Sequence, residues 1–364
     1  YIPQKDFERL SKYSVCEDDL IISVVGTLGN VAIIPKNQIG IFSCKSTLFR
    51  NSSIDPYYLL AYLNSNYGRK CLLRRQRGAV QTGLNKDDLK TVPVPIFSDI
   101  IHNYIGQLIR KALKLNFESQ VLTTKTQQLL ENELGLDKLK FENPVGYEAN
   151  FSEIVFARRI DSQCYRPEYI NYEKHLREHS QIDDLRNLVE SSVKGKQMAI
   201  SSDGTLNYAS IKDIQGLELI SDSFCHFSSD TRIADKGDLL LAITGATIGK
   251  IGIIDRYDRL AFSGDLLGLK VKNNIDPFYL LAVMQSPIGQ SQCKRWITGS
   301  TNGHLAPQDV GKIVIPRLGN QKEQLISEKI NESLKARCES EILLEKAKTR
   351  VEELIEKAAE QSPA

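Results

Sequence analysis

Residues 54–65 of the 364-residue chain read IDPYYLLAYLNS, and residues 275–286 read IDPFYLLAVMQS. Eight of these twelve positions are identical, and the second run begins 221 residues after the first (275 − 54). The same offset carries Gly68 onto Gly289, Gly78 onto Gly299, Leu84 onto Leu305, Asp88 onto Asp309 and Pro95 onto Pro316. It continues without a gap through Glu118 and Ser119 onto Glu339 and Ser340, and Leu122 onto Leu343. A match this long is an internal duplication, and duplication constrains architecture more than any local propensity. The chain is two copies of one module, each a globular part followed by a long helix. Its function needs two similar readers.

Local patterns fill in the module. Leu20 to Pro35 and Leu239 to Asp255 each place two β-rich runs around glycines, a hairpin signal. Gly26 aligns with Gly245 and Gly29 with Gly249. A further strand is expected at 39–42, matched by 260–262. Asp55-Pro56 and Asp276-Pro277 then open helical leucine runs, with Asp as N-cap and Pro in the first turn. A basic stretch, a glycine-centred polar loop and a short β run over 92–95 close the first globular part. Residues 1–19 read as a loop and an edge segment.

Residues 99–134 carry Ile101, Leu108, Leu115, Leu122 and Leu129 at a spacing of seven. Ile105 and Ala112 provide alternate positions, before Ser119 and Thr126 weaken the seam. This predicts a long helix with a coiled-coil stripe. Its expected mate is 321–359, with Leu325, Ile330, Leu334, Ile342, Leu343, Val351 and Ile355 as apolar contacts. At about 1.5 Å per residue such a rod spans about 54 Å. The expected division is 1–98, a first globular domain; 99–134, a spacer helix; 135–150, a connector; 151–320, a second domain; 321–359, a second helix; and 360–364, a tail.

Residues 151–207 have no counterpart in the first copy, because Tyr1, Lys5, Asp6 and Leu10 match Tyr208, Lys212, Asp213 and Leu217. The expectation is a fragment of a longer polypeptide whose first module lacks its opening.

Composition narrows the function. Net charge is only +2 and charged residues are 25%, so a nucleic-acid reader must concentrate positive charge locally. Seven cysteines without a C-x-x-C pair argue against a disulfide framework or a cysteine–zinc site and favour a reducing cytoplasm. No apolar run reaches the length of a membrane span.

Strings that imitate catalytic signatures have simpler readings. Asp55 to Tyr58 and Asp276 to Tyr279 approach a D-P-P-Y methyltransferase motif, but both lack the second proline and precede helices. The glycines at 26–29 and 245–249 are followed by strands, where a phosphate loop would open a helix. His175 and His179 fit H-x-x-E-H, within a charged run and without a third ligand. No catalytic residue and no metal site is predicted.

What remains is polar and basic sequence at the same place in both modules. In the first these are Arg74, Arg75, Arg77, Gln81, Thr82 and Asn85 around Gly78, with Thr27 and Asn30 on the glycine turn. In the second they are Lys294, Arg295, Thr298, Ser300, Thr301, Asn302 and His304 around Gly299, with Thr247 and Lys250. Arg and Lys reach phosphates and guanine edges, and Asn and Gln pair with adenine. A repeated frame with different loop residues suits two readers of different sequences.

These features together resemble the specificity subunit of a Type I restriction–modification system. The residues that carry the resemblance are Asp19-Leu20-Ile21 with Gly26 to Gly29, and Gly237-Asp238-Leu239-Leu240 with Gly245 to Gly249. Ile275 to Leu281 and Leu305 to Pro316, running into Gln324 and the long helix, continue it. Arg159-Ile160-Asp161 and Tyr165-Arg166-Pro167 resemble the opening of such a domain. The resemblance implies an α+β chain with two tandem target-recognition domains, each a mixed β-rich α/β unit. Two long antiparallel coiled-coil helices would separate them with pseudo-twofold symmetry. It implies a non-catalytic subunit reading a bipartite target in double-stranded DNA. Ile101, Leu108, Leu115, Leu122, Leu129, Ile330, Leu334, Ile342 and Val351 would form the helices that dock two methyltransferase subunits. Those partners would bind S-adenosylmethionine, and a restriction or translocase subunit could join. Alternatives are the specificity region of a fused adenine methyltransferase and a coiled-coil adaptor that binds no DNA.

Overall fold

The structure is a computed structural model. It describes residues 2–50, 53–78, 82–136, 139, 146–299 and 303–361, with the backbone alone at 156. The chain divides into two compact units, Tyr1–Glu118 with Ala336–Ala364, and Ser119–Lys335. The division falls inside both long helices, Asp99–Glu133 and Asn320–Glu360. No helix among the described residues is long and apolar enough to cross a membrane.

In the first unit, Leu20–Ser23 pairs antiparallel with Val31–Ile33 on one side and Ser46–Phe49 on the other. Leu20 and Ile22 point into the core, where the period of two puts them together. They meet helix Pro56–Asn64, whose residues Tyr58 to Leu63 are all buried. The Asp55 carboxylate accepts the Tyr57 amide at 2.8 Å and starts that helix. Ser65 starts the next, Asn66–Leu73, accepting the Gly68 amide at 3.3 Å and donating to the Tyr62 carbonyl at 2.6 Å. The corner between the helices is tight. A Cβ on Gly68 would sit 2.0 Å from the Tyr62 carbonyl oxygen. Ile105, Ile109, Ala347 and Val351 bring both long helices into this core.

The second unit repeats each device. Leu239–Ala242 pairs with Ile251–Ile253 and Leu266–Val271 in the registers of the first unit once Leu20 is set on Leu239: Leu20 faces Ile33 and Phe49, and Leu239 faces Ile253 and Leu269. Asp276 caps Pro277–Gln285, Ser286 caps Pro287–Trp296, and a Cβ on Gly289 would meet Met284 backbone at 2.5 Å. The Tyr279 hydroxyl donates to the Pro316 carbonyl at 2.8 Å, as Tyr58 does to Pro95 at 2.7 Å. This unit adds a second layer. Strands Ile233–Asp235, Arg259–Phe262, Leu206–Ala209 and Phe224–Cys225 form a further sheet. Leu239 and Leu241 therefore enter one core and Leu240 and Ala242 another. Fully burying each such leucine contributes about 1.5–3 kcal/mol.

That difference explains two departures from the sequence reading. Residues 39–42 form no strand, only a bridge from Ile41 to Ser14, and Ile39 is 79% exposed. Residues 92–95 are not a strand either. Their counterparts become strands because the second unit supplies mates, Ile233–Asp235 and Gln181–Asp184. Residues 1–19, read as a loop, contain helix Gln4–Arg9.

The seam between the long helices is also not the leucine stripe. Ile101, Leu108, Leu115, Leu122 and Leu129 are only half-buried, and Ile101 and Leu108 lean on the globular core. The fully buried line in Asp99–Glu133 is Ile105, Ala112, Ser119 and Thr126. At the 221 offset stand Ile326, Ser333, Ser340 and Ala347, equally buried. Small residues every seventh position let two helices approach closely, while the serine and threonine hydroxyls bond to backbone and to each other. In the second unit Ser333 donates to the Ser119 carbonyl at 2.9 Å, and Lys322 pairs with Glu133, so the helices run antiparallel there. Ile330, Leu334 and Val351 are buried inside the units, whereas Leu325 and Ile342 are 44% and 61% exposed. The sequence reading placed those two in the seam; they lie outside it.

Candidate nucleic-acid interface

In the second unit two segments far apart in sequence become neighbours. The turn Gly245–Thr247 follows strand Leu239–Ala242, and strands Ile297–Thr298 and His304–Leu305 flank the polar loop. Thr244 bridges His304, the Gly245 amide donates to the Gly303 carbonyl at 3.3 Å, and the Leu305 amide donates to the Ile243 carbonyl at 2.9 Å. Gly245 and Gly249 have positive φ, which lets the turn fold back sharply. Helix Pro287–Trp296 backs the turn, with the Gln290 side chain donating through Nε2 to the Gly249 carbonyl at 2.8 Å.

The first unit makes the same clamp. Val25 and Arg77 both bridge Gly83, and the Leu84 amide donates to the Val24 carbonyl at 3.0 Å. Gly26, Gly29 and Gly78 have positive φ. Helix Asn66–Leu73 backs the turn, and Arg69 donates to the Asn30 side chain at 3.3 Å. Arg69 and Gln290 occupy equivalent positions at the 221 offset. Sequence reasoning passed over both, although the offset that aligns the modules identifies them.

The sequence-predicted residues divide into three groups. Thr27, Asn30, Arg77, Asn85, Thr247, Lys294 and Thr298 are exposed, and Thr82, Lys250 and His304 half-buried, on or beside the clamped turns and loops. Arg77 is held by Asp88 at 2.5 Å, a hydrogen bond that raises its already high pKa. Thr298 donates to the His304 carbonyl at 3.1 Å. Gln81, Ser300, Thr301 and Asn302 lie outside the described residues.

Arg75 and Arg295 form the last group, and for them the reading as surface contacts is corrected. Arg75 spends its guanidinium on the Thr91 side chain and carbonyl and on the Cys71 carbonyl, at 2.6–2.9 Å. Arg295 is 4% exposed, lies over the Trp296 ring, donates to the Cys164 carbonyl at 3.1 Å and pairs with Glu173. A run of basic letters could not distinguish these from the exposed Lys294 beside them. Arg74, the counterpart of Arg295, is exposed.

Arg159 braces the chain at the end of helix Pro287–Trp296. Its guanidinium holds Asp161 at 2.7 and 2.8 Å and donates to the carbonyls of Arg295 and Ile297 at 3.2 and 3.0 Å. The hydrogen bond from Arg159 lowers the pKa of Asp161. The catalytic look-alikes have structural partners. Asp55 and Asp276 cap helices. The His175 ring donates to the Leu134 carbonyl at 2.6 Å, and His179 stacks on it at 4.4 Å. Among the described residues no group of three His, Cys, Asp or Glu is placed to hold a metal.

No protein-family model and no curated protein matches the chain. Solved structures do. The Type-I restriction-modification system S subunit from M. genitalium superposes with a TM-score of 0.50 at 13% identity, covering 95% of this chain and 84% of that one. The HsdS subunit from Thermoanaerobacter tengcongensis matches with a TM-score of 0.31 at 15% identity, covering 92% and 81%. The duplicated units with their two long helices thus have the fold of a Type I restriction–modification S subunit.

Proposed function

We propose that the chain is the DNA-specificity component of a Type I-like restriction–modification system, acting in the cytoplasm without catalysis of its own. Each unit reads one half of a bipartite double-stranded target. Methyltransferase subunits, two in number and carrying S-adenosylmethionine, modify adenine at that target, and a restriction subunit can join them. The observation that carries this reading is the turn and loop clamped side by side in both units. The frame is repeated, while the exposed residues differ: Thr27, Asn30 and Arg77 in one, Thr247, Lys294 and Thr298 in the other. A rigid frame with variable polar tips suits base-edge reading, and scattered lysines and arginines suit phosphate contact.

Selection of binding sites from randomised duplex DNA tests it. The expected target is two half-sites with unread base pairs between them. Thr247→Ala with Thr298→Ala should relax one half only, by about 1–3 kcal/mol per lost good contact. Changes in both halves, or binding that does not weaken with salt, would refute the assignment.

A further inference from the structure

The clamp in each unit has a third member. In the second unit the Ile243 carbonyl, which holds Leu305 of the polar loop, lies at the end of strand Leu239–Ala242. The Ile243 amide donates to the Asp265 carbonyl at 2.9 Å, within a tight turn that the Leu266 amide closes on the Ser263 carbonyl at 3.0 Å. In the first unit Val24 does the same. Its carbonyl holds Leu84, its amide donates to the Lys45 carbonyl at 2.9 Å, and the Ser46 amide closes a turn on the Ser43 carbonyl at 3.0 Å. One residue at the end of the central strand thus gathers three segments at one rim: the glycine turn, the polar loop and this third turn. The same bonds make Lys45 and Asp265 equivalent, as does the register that sets Ser46 against Ser23 and Leu266 against Ala242.

The two residues are exposed and carry opposite charges. The Lys45 ammonium has no bond or ion pair among the described residues. The Asp265 carboxylate accepts the Thr244 hydroxyl through Oδ1 at 2.6 Å, and among the described residues Oδ2 accepts no hydrogen bond. Thr244 in turn bridges His304, so the carboxylate is tied to both other segments. The turn beneath it is braced from behind. The Gly195 amide donates to the Leu266 carbonyl and the Lys196 amide to the Phe262 carbonyl, both at 3.0 Å, and a Cβ on Gly195 would sit 2.2 Å from the Ser263 carbonyl oxygen.

A carboxylate at a DNA-reading rim has one use. It only accepts hydrogen bonds, and phosphates repel it. In the major groove cytosine offers its N4 amino group, whereas adenine sets the acceptor N7 beside its amino group, against the second carboxylate oxygen. Lysine only donates, which suits guanine O6 and N7. We propose that the third turn sets base identity. Asp265 accepts from the N4 amino group of a cytosine in one half-site, and Lys45 donates to a guanine in the other. This rests on the DNA-specificity reading above and names a base for each unit.

Selection from randomised duplex DNA by the full chain and three variants tests it. Asp265→Asn keeps the shape and the Thr244 bond but gains a donor. One position of one half-site should change from cytosine to adenine, which Asn pairs with through N6 and N7. Asp265→Lys should change the same position to guanine. Lys45→Asp should turn a guanine into a cytosine in the other half only. Each switch should reverse the preference between the two bases by about tenfold or more. A turn that only braces the clamp would, when altered, weaken every position of its half-site alike. That result, or preferences left unchanged, would overturn the inference while the bipartite target of the unaltered chain stands. So would Asp265→Lys binding all sequences more tightly, with a salt slope steeper by about 0.9, which marks a phosphate neighbour. An unaltered chain that selects no bipartite target refutes the underlying reading, and the inference with it.

Discussion

The Ser340 hydroxyl donates to the Ala112 carbonyl at 2.7 Å, and both residues are almost wholly buried. The two long helices therefore meet, within the first unit, through a serine and an alanine and not through leucines. Ser340→Leu should force them apart and cost about 1–3 kcal/mol or more. Ser340→Ala should lose only the hydrogen bond, about 1 kcal/mol. Ile342→Ala, at an exposed site, should stay within about 0.5 kcal/mol. Urea unfolding of the three variants checks the order, and equal effects would contradict the small-residue seam.

Gly68 and Gly289 should resist any substitution. A Cβ at either falls 2.0–2.5 Å from main-chain atoms of the preceding helix, which cannot yield without breaking the corner. Gly68→Ala and Gly289→Ala should each cost more than about 4 kcal/mol, the range of exceptional single changes. Gly146→Ala, with open space around its Cβ, is the control. Thermal unfolding distinguishes them.

Neighbouring basic residues should respond differently. Arg295→Ala takes from Glu173 one of its two arginines, leaving Arg177 at 2.7 Å, and also removes the bond to the Cys164 carbonyl, so it should destabilise the second unit by about 1–3 kcal/mol. Lys294→Ala should leave stability within about 0.5 kcal/mol. If Lys294 meets a phosphate, its loss should shallow the salt dependence of DNA binding by about 0.9 in log–log slope. Denaturation and salt titration of both variants provide the check.

Asp19 and Asp238 occupy equivalent turns yet should have opposite pH responses. Burial tends to raise the pKa of Asp19, but bonds from Arg50 at 2.6 and 2.8 Å and from the Cys16 amide at 2.6 Å outweigh it and hold it low. Asp238 accepts the Asp235 amide at 2.9 Å, and burial pushes its pKa up. The depressed Asp19 stabilises the fold above its unfolded value of about 3.9, and that contribution is lost as pH falls through the lower folded value. The raised Asp238 acts in reverse: ionisation above its folded pKa opposes folding, and protonation relieves this. Asp19→Asn should destabilise at pH 7 and flatten the acid limb. Asp238→Asn should be neutral or stabilising there. Amide exchange in each unit between pH 3 and 7 tests the pair.

Much of this was legible in order along the chain. The offset of 221 identified both modules, and Asp55, Pro56, Asp276 and Pro277 marked helix starts that the structure keeps. The glycines at 26, 29, 245 and 249 marked turns with positive φ. These are local matters, decided by capping, backbone freedom and the period of apolar residues. The sheet mates were not legible. Residues 39–42 and 92–95 have strand-like sequence, but among the described residues of the first unit the former has only the single bridge from Ile41 to Ser14 and the latter has no mate, and a strand exists only where another pairs with it.

By itself, then, the sequence determined that there are two copies of one module, where their helices and turns begin, and that each long helix has an apolar stripe. Tertiary structure alone decided which stripe is buried, choosing Ala112, Ser119, Ser333 and Ser340 because close helix approach rewards small side chains over leucine. It alone brought the turn at Gly245 beside His304, through main-chain bonds across about sixty residues that no spacing rule encodes. It also separated Arg295 from Lys294, since burial depends on what a neighbouring segment lays over a helix.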